Sequence, residues 1–375
     1  MKKIVGTIAA IALAASSAFA GANFGMGFSR GFFTPFAWDG EAKADISTSW
    51  GNAPRIGASF SAASEDVGVV ADVKFDNGNV NVNDNAYIWV KPASWLKVQI
   101  GQSFDDTLRG NACFGTWDWL RPGNILGEDL TFTRVCKNPF DGAYAPVEGA
   151  IVMLDPIEGL HVSVAIKTAN RYWDAELENG EPKGWSYTKA YKANSWENVA
   201  KNIQVQAGYT IPDVMQIKAQ WIGNGANGGV VNAAVALKAV EGMTLDVGAF
   251  IPVENDSKTT IAAFWGMGFD AVSVNVNAQV KLAKDDTQTT DVAAGAGIGV
   301  DLGNGLSCGA DVRYSQSFKA NENIDPKIAF AAWLDKGIAN GTLGVAVQGA
   351  LKTGIRDFAA SDFTVAVPVR VQCFF

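Results

Sequence analysis

The sequence predicts an all-β protein, a closed antiparallel transmembrane β-barrel of about 16–18 strands with long extracellular loops. Three observations carry this. Apolar and polar residues alternate with period two through most of the chain. No run of about 18 apolar residues follows residue 20, so no helix there is long and greasy enough to cross a bilayer. Short turns and longer polar connections take turns down the sequence, the asymmetry of a barrel with one short-turned and one long-looped end.

The chain of 375 residues opens with Lys2 and Lys3, the apolar run IVGTIAAIALAA and then SSAFA, in which Ala18 and Ala20 flank Phe19. A positive start, a short apolar stretch and an A-x-A pattern read as a cleaved signal peptide over 1–20. Residues 21–375 are then a single barrel. Removal of the leader takes two lysines with it and moves the net charge from −8 to −10. Residues 22–38 read either as a strand or as an inward-tucked segment.

Strands are expected at 41–50, 54–62, 66–75, 84–91, 94–104, 144–155, 158–168, 199–211, 214–222, 229–240, 243–252, 259–268, 270–282, 289–302, 305–318, 327–335, 341–353 and 361–375. The pattern is plainest at 271–282. Val272, Val274, Val276, Ala278, Val280 and Leu282 share one face, and Ser273, Asn275, Asn277, Gln279 and Lys281 share the other. A strand sends successive side chains to opposite sides, whereas a helix would scatter these residues around its circumference. The same phase puts Lys97, Gln99, Gln204, Lys218, Arg313 and Arg370 on polar faces. Lipid offers nothing to backbone N–H and C=O groups, so the sheet must close on itself. Trp50, Trp89, Trp95, Trp221, Trp265, Trp333, Tyr209 and Phe375 fall near strand ends, where aromatic girdles sit.

Two connections are long. Residues 105–143 carry Asp105, Asp106, Arg109, Asp118, Arg121, Glu128, Asp129, Arg134 and Lys137. Both signs of charge are present, so this segment is either a pore constriction with a transverse field or a solvated surface loop. Residues 169–198 hold Tyr172, Trp173, Trp185, Tyr187, Tyr191 and Trp196, an aromatic-rich extracellular loop that either forms its own small core or offers faces on which sugar rings stack.

The chain ends FTVAVPVRVQCFF, with Phe363, Val365, Val367, Val369, Val371, Cys373 and Phe375 on one face. With a signal peptide at the other end, this last strand resembles that of bacterial outer-membrane proteins, where the terminal Phe is the membrane-insertion signal. The chain as a whole is similar to the bacterial outer-membrane porin family and to a spirochaete-like branch of it. The resemblance implies an outer-membrane location and partners in outer-membrane lipid and the barrel-assembly machinery. By analogy it extends to a homo-oligomer. In general porins the loop after the fifth strand folds into the barrel, and 105–143 is similar in position and length.

Composition narrows the function. Thirty-eight acids against 30 bases argue against a nucleic-acid partner. A polar lining in a barrel this wide cannot be filled by its own side chains and leaves an aqueous channel. The expected function is passive diffusion of small hydrophilic solutes, with Asp105, Asp106, Arg109, Asp118, Arg121, Glu128, Asp129 and Arg134 at the constriction. Lys97, Gln99, Gln204, Lys218, Asn275, Lys281, Arg313 and Arg370 would line the pore. The alternative is a non-conducting surface protein that adheres through its aromatic loops.

No enzyme is expected. The one histidine, His161, falls on the polar phase just after a short turn and has no evident partner to make it a base. Gly295, Gly297 and Gly299 lie within an alternating strand, so they make room inside the barrel rather than cradle a dinucleotide. No cofactor or metal is implied by the spacing of Cys113, Cys136, Cys308 and Cys373. Cys113 and Cys136 share one loop of an exported protein and are expected to form a disulfide. Cys308 and Cys373 read as small lipid-facing residues.

Overall fold

The computed structural model describes residues 23–26, 29–38, 41–45, 56–76, 79–103, 105, 107, 108, 147–178, 181–192, 195–223, 228–254, 258–319, 322, 324, 326–351 and 363–373. The expected signal peptide, Trp50, Phe375, the Cys113–Cys136 bridge and most of 105–143 lie outside them.

The strands are β1 (Asn23–Met26), β2 (Ser29–Trp38), β3 (Ala42–Asp45), β4 (Ile56–Ala63), β5 (Val67–Asp76), β6 (Asn79–Ala93) and β7 (Leu96–Ser103). Then come β8 (Val147–Ile157), β9 (Leu160–Glu178), β10 (Glu181–Lys192), a short helix α1 (Trp196–Lys201), β11 (Gln204–Ile211), β12 (Met215–Gly223), β13 (Gly229–Leu237) and β14 (Met243–Val253). The rest are β15 (Thr259–Phe269), β16 (Val272–Leu282), β17 (Thr290–Gly303), β18 (Leu306–Phe318), β19 (Lys327–Ile338), β20 (Gly341–Leu351) and β21 (Phe363–Cys373).

Each strand from β4 to β9 pairs antiparallel with the next, and so does each from β11 to β21. β9 pairs with β11 through Ala165↔Gln204 to Leu160↔Tyr209. The ring closes at the chain's two ends. On one side β2 pairs with β21 from Ser29↔Cys373 to Trp38↔Val365. On its other side β2 pairs with β3, while β1 pairs with β4. β1 with β2 thus act as one stave and β3 with β4 as another, and among the described residues the ring has eighteen.

Residues 22–38, ambiguous in sequence, therefore form the stave that closes the barrel. The two strands expected at 41–50 and 54–62 both belong to its neighbour. The count of eighteen is right because these two errors cancel. The other difference is at 169–198, expected as an aromatic loop. β9 runs 19 residues, and its distal half pairs with β10 through register pairs such as Trp173↔Tyr187. The segment is a two-stranded ribbon continuing off the barrel wall. Ser195 then caps α1 by accepting from the Asn198 N–H.

At one end the connections are tight. Asp213, Asp270, Asn304 and Asn340 take left-handed backbone (φ 57°, 48°, 53° and 56°), which Asn and Asp tolerate better than other residues with a side chain. Asn304 and Gly305 are both left-handed, as a turn that follows the right-handed twist of two strands requires.

The phase of the residues is inverted relative to a soluble protein. Ile88, Ile100, Ile217, Val247, Ile261, Val276, Ile298, Val312, Leu334 and Val347 are exposed, whereas Gln99, Gln206, Lys218, Asn232, Asp246, Asn277, Arg313 and Arg370 are buried. Apolar side chains stand on the outer surface because a bilayer removes the cost of showing them. Trp95, Trp265 and Tyr209 are also exposed, and Trp221 shares the outward phase of Ile217. Trp89 and Trp333 break the expected girdle. Each is half-buried on the inward face, between exposed neighbours Ile88 and Val90, and Ala332 and Leu334. Cys308 and Cys373 are free thiols on the outward phase.

The inversion yields a direct test. Val276→Arg, in the middle of β16 on the outward face, is expected to cost about 2–4 kcal/mol in lipid-reconstituted unfolding, whereas Asn275→Arg on the inward face costs less than about 1 kcal/mol. Equal costs would show that the apolar face does not meet lipid.

Candidate functional site

The inward wall is built in rows, because residues paired in register point the same way. One row runs His161↔Gly208↔Lys218↔Ala234↔Gly248 across five staves, and the next runs Ser163↔Gln206↔Gln220↔Asn232↔Phe250. All eight residues expected to line the pore lie on this inward phase. Gln99, Gln204, Lys218, Arg313 and Arg370 are buried there, and Lys97, Asn275 and Lys281 half-buried. Lys97 stands 5.5 Å from the Trp89 ring, as does Lys91. The wall is not purely basic, since Asp246, Asp311 and Asp335 share it.

Past β7 the chain turns into the barrel. Asp105 is 7% exposed, with Oδ2 2.7 Å from His161 Nε2. Gln206 donates to the same oxygen, and Thr107 donates to Oδ1 through both its backbone N–H and its hydroxyl. His161 Nδ1 lies 2.8 Å from Asp155 Oδ1, so the ring bridges a buried carboxylate and an exposed one. Burial opposes the charge on Asp105. Hydrogen bonds from His161, Ser163 and Thr107 outweigh it and hold the carboxyl well below its ordinary range.

Three residues on, Leu108 is 2% exposed. A Cβ at Gly208 would stand 2.5 Å from its Cδ2, so the absent side chain on β11 is the seat into which Leu108 fits. The start of the long segment is thus pinned at two points on the β9–β11 wall. Of the eight residues expected at the constriction, Asp105 takes this place. Asp106, Arg109, Asp118, Arg121, Glu128, Asp129 and Arg134 lie outside the described residues.

The expectation that His161 has no partner is corrected. Asp155 lies six residues before it, across the β8–β9 turn, and was within reach of a hairpin reading. Asp105 lies 56 residues away and enters only because the chain bends inward past β7. Nothing local marked Gly208 or Leu108 as a contact.

The glycines of β17 do make room. Cβ atoms at Gly295 and Gly297 would run into the side chains of Asn277 and of Asp311 and Asn275, which lie over them. Farther round, Arg370 Nη2 donates to Asp335 Oδ2 at 2.7 Å, spanning Gly344, which pairs with both residues. Near the long-loop end Lys258 donates to Asp291 and Thr289, each at 2.7 Å. Among the described residues no group of three His, Cys, Asp or Glu could hold a metal ion.

No family model matches the chain, and no curated protein matches it in sequence. Solved structures do match it along nearly its whole length. It is similar to Acinetobacter baumannii OccAB4, at 8% identity and TM-score 0.57 over 95% of this chain and 98% of that one. It is similar to Pseudomonas aeruginosa OccK1 (OpdK), at 11% identity and TM-score 0.55 over 94% and 98%. An anion-selective porin from Comamonas acidovorans matches at 10% identity and TM-score 0.52 over 94% and 99%. At such identities the likeness shows a shared fold, the porin-type β-barrel.

Two outcomes follow for the inward segment. Gly208→Leu fills the seat of Leu108 at an overpacking cost of about 1–3 kcal/mol, and limited proteolysis just past β7 becomes faster in the folded barrel. An unchanged rate would show that Leu108 does not hold the segment. Because the folded value of Asp105 is depressed, its contribution is fully present above its unfolded value of 3.8 and is lost only as pH falls through the lower folded value. Protection from proteolysis should therefore persist at about pH 5, and early loss at about pH 5 would contradict the anchor.

Proposed function

We propose that this chain is a porin of the bacterial outer membrane, through which small hydrophilic solutes diffuse passively, narrowed by the segment that follows β7. The observation that carries the reading is the closed ring of staves with apolar residues outside and Lys, Arg, Asp, Asn and Gln inside. A ring of about this many strands is too wide for those side chains to fill. The pinning of Asp105 and Leu108 supports an inward course for 105–143, with Asp106, Arg109, Asp118, Arg121, Glu128, Asp129 and Arg134 placed to grade the field across the opening. Export on a cleaved leader, insertion through the final strand ending at Phe375, and assembly of more than one copy belong to the same reading. Acidic and basic residues share the inward wall, so the sign of ion preference is set by which of them face the narrowest point.

The ribbon formed by β9 and β10 favours one alternative, a surface protein that binds through its aromatic-rich 169–198 segment. Purified protein that shows heat-modifiable migration should insert into a planar bilayer and pass current in uniform steps. Folded protein that never conducts would overturn the channel reading in favour of the surface one.

A further inference from the structure

His161 is the one histidine of the chain, and both of its ring nitrogens face carboxylates. Nε2 lies 2.7 Å from Asp105 Oδ2, and Nδ1 lies 2.8 Å from Asp155 Oδ1. Each of these hydrogen bonds needs a donor and an acceptor, so the surroundings decide which atoms hold the protons.

Asp105 holds none. The other groups set against its carboxylate donate to it, Gln206 through its amide N–H at Oδ2 and Thr107 through its backbone N–H and hydroxyl at Oδ1. A proton on either oxygen would displace one of these donors. The Asp155 side chain is 58% exposed, and an exposed carboxylate at neutral pH only accepts. With acceptors at both ends, the imidazole must donate from both nitrogens, which only its protonated form does. A neutral ring has one N–H and would set its bare nitrogen against a carboxylate lone pair.

Among the described residues no cation comes between the ring and its carboxylates. On β11 the register partner of His161 is Gly208, and Lys218 of β12 lies one stave beyond it. Lys97 of β7 lies in the neighbouring row, across Met153 from Ser163. Glu158 is exposed in the β8–β9 turn and adds to the negative charge at this corner.

We propose that His161 is a proton-operated clamp: as an imidazolium it ties Asp105, two residues past the end of β7, to Asp155 on β8, and on losing a proton it lets go of one of them. A neutral ring can serve either carboxylate but not both. The buried contact with Asp105 would also lose its charge assistance, which counts for most where water is excluded. Asp105 keeps its own charge as pH rises, so the change comes from the ring alone. The hold on Asp105, Thr107 and Leu108 is therefore firm from mildly acidic to neutral pH and loosens on the alkaline side. This device is independent of what crosses the lumen.

Because the chain has one histidine, its imidazole signal needs no assignment. Protein made without a polyhistidine tag and labelled with nitrogen-15 histidine should show two protonated ring nitrogens at about pH 7 in lipid. One protonated and one bare nitrogen would overturn the clamp. Limited proteolysis just past β7 should become roughly tenfold faster between about pH 7 and about pH 9.5. His161→Gln, which has no charge to lose, should be cut at one rate across that range. A wild-type rate that stays constant would overturn the release. So would a rise that His161→Gln shares, which would belong to the lysines of the wall. The imidazole signal requires no variant and decides the charge even if His161→Gln does not fold.

Discussion

Everything else in this molecule depends on one requirement, that backbone hydrogen bonds in lipid be made within the protein. An open sheet edge facing hydrocarbon would leave a row of N–H and C=O groups without partners, each costing several kcal/mol. The pairing of β2 with β21 removes that edge. It joins residues more than 300 apart in sequence, and only when it forms does the sheet acquire an inside and an outside. The inverted distribution of polar and apolar residues has meaning only after that step. Before it, the alternation describes two faces of a ribbon.

Closure also explains the glycines. A wall whose staves twist and curve brings neighbouring side chains close on the concave side, and large groups there need somewhere to lie. The recurring solution is a bulky side chain laid on a glycine of the adjacent stave. Trp89 lies on Gly68 and Trp333 on Gly309 inside the barrel, with Leu108 on Gly208 entering from the loop. On the outer face Trp221 lies over Gly229 and Phe330 over Gly349. Covering strand glycines with aromatic rings restores packing that glycine alone forfeits. Gly344 serves the same end for charge, since the Arg370–Asp335 pair reaches across the space that its missing side chain leaves. Small residues on the inward wall are thus the means by which large ones keep fixed positions.

Much of this was legible in sequence, and the parts that were not share a cause. From β11 onward the expected strands match the observed ones closely, because Asn, Asp and Gly mark the tight turns and the two-residue period runs unbroken between them. The expected strands 41–50 and 54–62 count one stave twice, because β3 and β4 both line up beside β1 and β2, a pairing that local pattern does not show. Trp89 and Trp333 were assigned to a lipid girdle by their nearness to strand ends. Their phase, read against Ile88 and Leu334, places them inside, so the information was present but a residue-type preference overrode it. His161 was correctly phased toward the lumen, while its contact with Asp105 required knowing where the chain goes past β7.

The sequence by itself determined the fold class, the alternation, the tight turns and the inward set of polar residues, because each of these is written in neighbours within a dozen positions. Tertiary structure alone decided which staves meet at the seam, that Asp105 and Leu108 dock on the β9–β11 wall, and that Trp333 lies on Gly309. Those contacts join residues that a period of two cannot relate. Their positions follow from the stagger of whole staves around a closed ring, and that stagger is settled only when the last strand pairs with the first.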